Sequence, residues 1–197
     1  MSLPTIPILL GTHRQNANGP GLAAWLISRF STLPQAAFFR LALANDLVTV
    51  PYGPIEDPVI SQAITSSDKY ASPIVHAWSD LVRAAPAVVI LTPQYNWGYP
   101  GALKNALDHL YHEWTGKRIV LVTYGGHGGS KCALQLEQVL VGGFEADLRA
   151  KVGITLPREF IRNDERVNKD EGGEWPAFLK AVDGEVEEAF AKLLEES

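Results

Sequence analysis

Apolar residues follow two rhythms along the chain. Three short runs, at 6–10 (IPILL), 88–91 (VVIL) and 119–122 (IVLV), are apolar without alternation. Strands buried on both faces of a parallel sheet have this pattern, because helices cover each side and leave no face for polar residues. Between these runs apolar residues recur at helical spacing: Leu22, Trp25, Leu26 and Phe30, then Ile74, Val75, Trp78, Leu81 and Val82, then a stripe from Leu103 through Ala106, Leu107, Leu110 and Tyr111 to Trp114. A strand around 37–43, a helix over 130–140, a strand near 151–156 and a closing helix over 176–194 complete the alternation. Pro20, Pro73, Pro100 and Pro176 each fall where a first helical turn begins, a position that needs no backbone donor.

Strand and helix alternating throughout predict an α/β fold, a doubly wound sheet of five parallel strands. Ligands of such sheets sit outside the carboxyl ends of the strands. Residues 50–72, with prolines at 51, 54 and 58, and residues 157–174, charged and ending in Gly172-Gly173, read as surface excursions rather than linkers. There is no internal repeat.

Composition narrows the function. A chain of 197 residues, 46% of them hydrophobic, buries a core of its own and fits one domain over 1–197. A net charge of −5, from 17 basic and 22 acidic residues with no run of Lys or Arg, gives no face for a nucleic acid. A single cysteine, Cys132, excludes an intramolecular disulfide and a thiolate-only metal site, and fits a reducing cytoplasm. The N-terminus MSLPTIPILLG has no basic region ahead of an apolar one, and no apolar span approaches the ~20 residues of a membrane helix. A soluble, untargeted protein is expected.

Candidate chemistry gathers in three loops that follow strands. The first, residues 11–19 (GTHRQNANG), opens a helix whose first amides are unpaired and carry partial positive charge. Side chains of Thr12, Asn16 and Asn18 can donate hydrogen bonds and Arg14 a charge-assisted one, which suits a single phosphate group. The same residues read equally as a polar turn with Asn18 or Gly19 as the helix N-cap. Neither a GxxxxGK[ST] nor a GxGxxG pattern is present, so a mononucleotide fits better than a dinucleotide. The second loop, 92–98 (TPQYNWG), and the third, 124–129 (YGGHGG), combine glycines that let backbone approach a flat ligand with stackable walls at Tyr95, Trp97 and Tyr124. Together they predict a slot for a planar ring; simple capping of the core, usual for one aromatic residue at a strand end, is the alternative.

Three segments, GTHR, PQYNWGYPGALKNALD and YGGHGG, resemble the signature segments of the NADPH-dependent FMN reductase family, over residues 6–140. The second is much the most specific. The resemblance implies a flavodoxin-like three-layer α/β/α sandwich with strand order 2-1-3-4-5, bound FMN, and two-electron reduction of flavins, quinones or azo compounds by NADPH or NADH. It implies a homodimer or homotetramer. It places Thr12, His13, Arg14, Asn16 and Asn18 at the FMN phosphate, Pro93, Gln94, Tyr95, Asn96 and Trp97 along the isoalloxazine, and Tyr124, Gly125 and Gly126 on its other side. Ala17 stands where such proteins often have Ser or Arg, and Gln94 where Glu is common, which alters charge beside the ring. An FMN electron carrier that does not itself use nicotinamide is the alternative.

Other groups point elsewhere less strongly. His109, His112 and Glu113 have the spacing of helical metal ligands, yet fall opposite the apolar stripe and are expected on a solvated face. His127 reads equally as a substrate contact and as an exposed loop histidine. Cys132, with no base partner in view, is expected to be a small buried residue. Arg158, Arg162 and Arg166 invite a 2′-phosphate, with surface solvation the default.

Overall fold

The computed structural model describes residues 3–195. Strands β1 (Thr5–Leu10), β2 (Arg40–Leu43), β3 (Val88–Pro93), β4 (Arg118–Gly125) and β5 (Asp147–Thr155) form one parallel sheet in the order β2-β1-β3-β4-β5. Strand order reverses between β1 and β3, so their carboxyl ends open a crevice. Helices α1 (Gly19–Phe30), α2 (Pro73–Ala84), α3 (Gly101–Asp108), α4 (Ser130–Glu137), the short α5 (Arg158–Arg162) and α6 (Asp183–Leu194) connect or follow the strands.

The unalternating runs are explained by a core on each face. Ile6, Ile8, Val89 and Leu91 pack with Trp25 of α1 and Phe190 of α6. Leu9, Val88, Ile90 and Leu121 point the other way, onto Trp78 of α2 and Leu103 and Leu107 of α3. Each residue along a central strand is therefore apolar whichever face it serves.

Several boundaries differ from the periodicity. The stripe from Leu103 to Trp114 is not one helix: α3 stops at Asp108, and turns follow in which Leu110 N donates to Leu107 O and Trp114 N to Tyr111 O, each at 3.1 Å. Helix α4 opens at residue 138 into a wider π turn ending at Gly142-Gly143, and residues 34–37 form a 3₁₀ turn where the second strand was expected to begin. The closing helix is a 3₁₀ segment, Ala177–Val182, that becomes α-helical at Asp183.

The turn after α3 overturns the solvated-face expectation for His109 and Glu113. Both are buried, at 7% and 3% exposure, while His112 stays at the surface. His109 Nε2 lies 3.3 Å from Gly53 O, and burial lowers its pKa, which keeps the ring neutral. Glu113 accepts from Ser79 Oγ at 2.6 Å, Arg83 Nη2 at 2.7 Å, the Tyr70 hydroxyl and the amide of Tyr111. A carboxylate so fully bonded is a brace between α2, the 70s and the post-α3 turn. Among the described residues no group of three metal-ligating side chains converges.

Candidate active site

The three loops after β1, β3 and β4 meet at one edge of the sheet. The first is held against the second at its root: Gly11 N donates to Leu91 O at 2.8 Å, and a Cβ on Gly11 would fall 2.1 Å from Thr92 Oγ1. Only glycine allows that approach. Thr12 is buried, with Oγ1 3.1 Å from the Tyr95 hydroxyl and accepting from Arg14 N at 3.2 Å, so its hydroxyl positions both a loop amide and an aromatic ring. Beyond it the backbone turns through Asn16 at φ +53°, and the N–H groups of Asn16 and Asn18 have no protein acceptor among the described residues.

The second loop contains a tight hairpin. Tyr95 and Gly98 exchange both backbone hydrogen bonds at 2.9 Å, and the central residues Asn96 and Trp97 have φ of +43° and +75°. Two positive φ values in succession mark a type I′ turn, a geometry that costs non-glycine residues energy. Its effect is to present Asn96 and Trp97 at the tip, Trp97 68% exposed with Lys131 Nζ 5.4 Å from its ring centroid. The third loop is fixed by Thr123 Oγ1 donating to Gly128 O at 2.6 Å, and by Leu156 N donating to Gly125 O at 2.9 Å.

A cavity of about 170 Å³ lies between these loops. Arg14, Asn16 and Asn18 line one end, and Pro93, Gln94 and Tyr95 border the other with Tyr124 and Gly125. Four of the expected residues also have partners within the protein. Gln94 borders the cavity while its Oε1 accepts from Lys131 N at 3.0 Å and Cys132 N at 3.3 Å at the start of α4, and its backbone N–H donates to Tyr124 O. Tyr124 lines the cavity but is 4% exposed and packs in the core, and burial raises its pKa. His13 stacks on Tyr52 at 5.2 Å and does not line the cavity. Asn18 is committed to protein partners: Nδ2 donates to Phe160 O at 2.7 Å and Oδ1 accepts from Val167 N at 3.0 Å.

Those bonds reveal residues that loop reading missed. Leu156, Phe160, Ile161 and Arg166, from the excursion after β5, complete the lining, and Arg166 Nε donates to Asn16 O. Arg166 thus departs from the solvated default, whereas Arg158 and Arg162 are exposed. No local pattern signals this, because the contacts join positions 142 to 150 residues apart. Gly126 and His127 are exposed beside the cleft. Cys132 is buried, and burial pushes its thiol up to about 12, an inert side chain as expected.

A larger cavity, about 590 Å³, opens between the 49–57 loop and the start of α2. It is lined by Glu56 and Asp57 and by no Lys or Arg, which suits no anionic ligand.

The family model described as NADPH-dependent FMN reductase matches residues 4–153. An NAD(P)H-dependent FMN reductase of Saccharomyces cerevisiae is 39% identical over 155 residues, 77% of this chain and 81% of that protein. The chain belongs to the NADPH-dependent FMN reductase family. A quinone reductase of Escherichia coli is 34% identical over 140 residues, 68% of this chain and 67% of that one. Among solved structures, the flavoenzyme NAD(P)H:(acceptor) oxidoreductase FerB of Paracoccus denitrificans superposes with a TM-score of 0.63 over 97% of each chain at 18% identity, a likeness of fold.

The site suits the family's cofactor on structural grounds. The unpaired amides of Asn16 and Asn18 and two guanidiniums in the lining match a phosphate dianion, and no carboxylate lines the cavity. At the other end Gly125 leaves room for a flat ring, while Thr12, Asn96, Trp97 and Gly126, expected at the site, lie outside the lining of this cavity; no acceptor among the described residues takes the N–H groups of Asn96 and Trp97.

Proposed function

We propose that this protein is an FMN-dependent NAD(P)H oxidoreductase that reduces small quinones, azo compounds or free flavin by two electrons. The convergence of an anion end and a glycine-floored ring end at the crevice between β1 and β3 carries the reading. FMN, when bound, supplies the hydride chemistry, accepting from the nicotinamide and giving to the acceptor. The chain supplies placement. Arg14 and the amides of Asn16 and Asn18 would hold the phosphate, the stiff Asn96-Trp97 turn would fix one edge of the ring, and Tyr95, braced by Thr12, would border it. No side chain in the cleft is arranged as a nucleophile with its base, which accords with chemistry residing in the cofactor.

The test is anaerobic titration of FMN-loaded protein with NADPH and NADH, followed by steady-state rates with menadione. Flavin absorbance is expected to bleach, and double-reciprocal lines to run parallel, because donor and acceptor use the same open face in turn. Retained absorbance with both nicotinamides would make the protein an electron carrier instead. Arg14→Ala is expected to weaken FMN binding by about 1.5–3 kcal/mol, the range for a hydrogen bond to a charged group; FMN fluorescence quenching measures it.

We further propose that residues 1–197 act as a single FMN-binding domain in a homodimer or homotetramer. Exposed apolar side chains at Ile55, Val59, Ile60 and Ile74 support self-association, which light scattering after gel filtration would read. No helix among the described residues is long and apolar enough to cross a membrane. A lone, buried, free cysteine fits a reducing compartment such as the cytoplasm.

A further inference from the structure

The end wall of the cleft comes from outside the span that defines the family. After β5 the chain doubles back over the first loop, tied there by Asn18 to Phe160 O and Val167 N. Within this segment Arg166 is held on three sides: Nε donates to Asn16 O, and Nη1 to Asn163 O at 2.8 Å and to Glu165 O at 2.5 Å. Three of its five N–H groups are thereby used. Nη2 has no acceptor among the described residues, and the side chain lines the same cavity as Arg14. Ala17, also in that lining, contributes no donor from its side chain.

We propose that Arg166 is a ligand of the FMN phosphate, a guanidinium delivered from residues beyond 153. The inference rests on the FMN reading of the site. A phosphate monoester carries about −1.5 to −2 charges at neutral pH, more than one arginine neutralises. Arg14 and Arg166 together match it, and a guanidinium whose Nε and Nη1 are already fixed loses little further freedom when Nη2 bonds an oxygen. The bond from Nε to Asn16 O adds a positioning effect, since it holds the loop that carries the free amides.

Riboflavin, which has the ring but no phosphate, separates a phosphate ligand from a structural tether. Dissociation constants for FMN and riboflavin are measured by fluorescence titration for the parent, R166A, R166K and R166Q, with melting temperatures alongside. R166A is expected to lower FMN affinity roughly 10- to 100-fold while leaving riboflavin affinity unchanged, and R166K to recover part of the loss as a point charge without the fork. Loss of FMN and riboflavin affinity in equal proportion, or a loss of FMN affinity that the uncharged R166Q makes good as fully as R166K, would make Arg166 a tether only, and unchanged FMN affinity would remove it from the site; each overturns the proposal. Should R166A fail to fold, R166Q carries the same comparison. A parent that binds neither flavin would refute the FMN reading itself, whereas a parent that binds FMN beside an indifferent R166A refutes only the role of Arg166.

Discussion

Arg83→Ala is expected to cost about 2–4 kcal/mol of stability at neutral pH, although Arg83 is far from the cleft. Its guanidinium is the only cation bonded to Glu113 among the described residues, with Nη2 at 2.7 Å and Nε at 3.0 Å, and it also donates to Thr65 O. The Glu113 side chain has no exposure, so removing its partner leaves a charge in the interior. Breaking a buried pair from one side typically costs about 3–5 kcal/mol. The lower figure applies because Arg83 itself is 35% exposed and water can enter where it stood.

The pH dependence has a defined sign. Burial raises the Glu113 pKa, but the Ser79 hydroxyl, a backbone bond and Arg83 together outweigh it, and the net shift is downward from 4.5. A carboxylate with a depressed folded pKa contributes stability above its unfolded pKa and loses it as pH falls through the folded value. In the variant the pKa rises, so protonation relieves the stranded charge at a higher pH. The stability gap between parent and variant, measured by urea unfolding, is therefore expected to be large at pH 7 and to narrow toward pH 4. Equal stability at pH 7 would show that Glu113 is satisfied without Arg83.

Glu113 also shows where sequence reasoning stops. Periodicity identified Leu103, Leu107, Leu110 and Trp114 as buried, and they are. It placed Glu113 opposite them by assuming one continuous helix, but the helix ends at Asp108 and the turn rotates Glu113 inward. Glu113 is held there by bonds to α2, from residues 30 to 34 positions away. The loops after β1, β3 and β4 were legible because glycine, proline and aromatic residues sit at fixed offsets from recognisable strands. The orientation of Gln94 and Tyr124 was not, since alternation along a strand says which residues face a sheet layer and nothing about the cap of α4. The wall made by Phe160, Ile161 and Arg166 was invisible for a further reason: its chain is charged and irregular, and its structure is imposed by Asn18 and by the surface of α1.

Gly21→Ala is expected to detach that wall. Ala is the better helix former by about 1 kcal/mol, so propensity alone predicts that the change in α1 stabilises. Packing reverses the sign, because a Cβ on Gly21 would lie 1.6 Å from Val167 O and 2.6 Å from its carbonyl carbon, contacts with backbone that no rotamer can relieve. Either α1 or the segment around Val167 must move, and movement of the segment breaks both bonds to Asn18, each worth about 1 kcal/mol. A net loss of about 1–3 kcal/mol follows from the strain of overpacking, offset in part by propensity. Gly184→Ala in α6, where nothing lies within 4 Å of the added carbon, is expected to be neutral or stabilising and serves as the control. Because Arg166 moves with Val167, Gly21→Ala is also expected to weaken FMN binding and to open Arg162, Arg166 and Lys169 to trypsin, with cleavage suppressed in the parent by added FMN. A Gly21→Ala protein that melts higher than the parent and resists trypsin equally would show that the 156–167 segment does not pack on α1, and the end wall of the cleft would then have to be built from other residues.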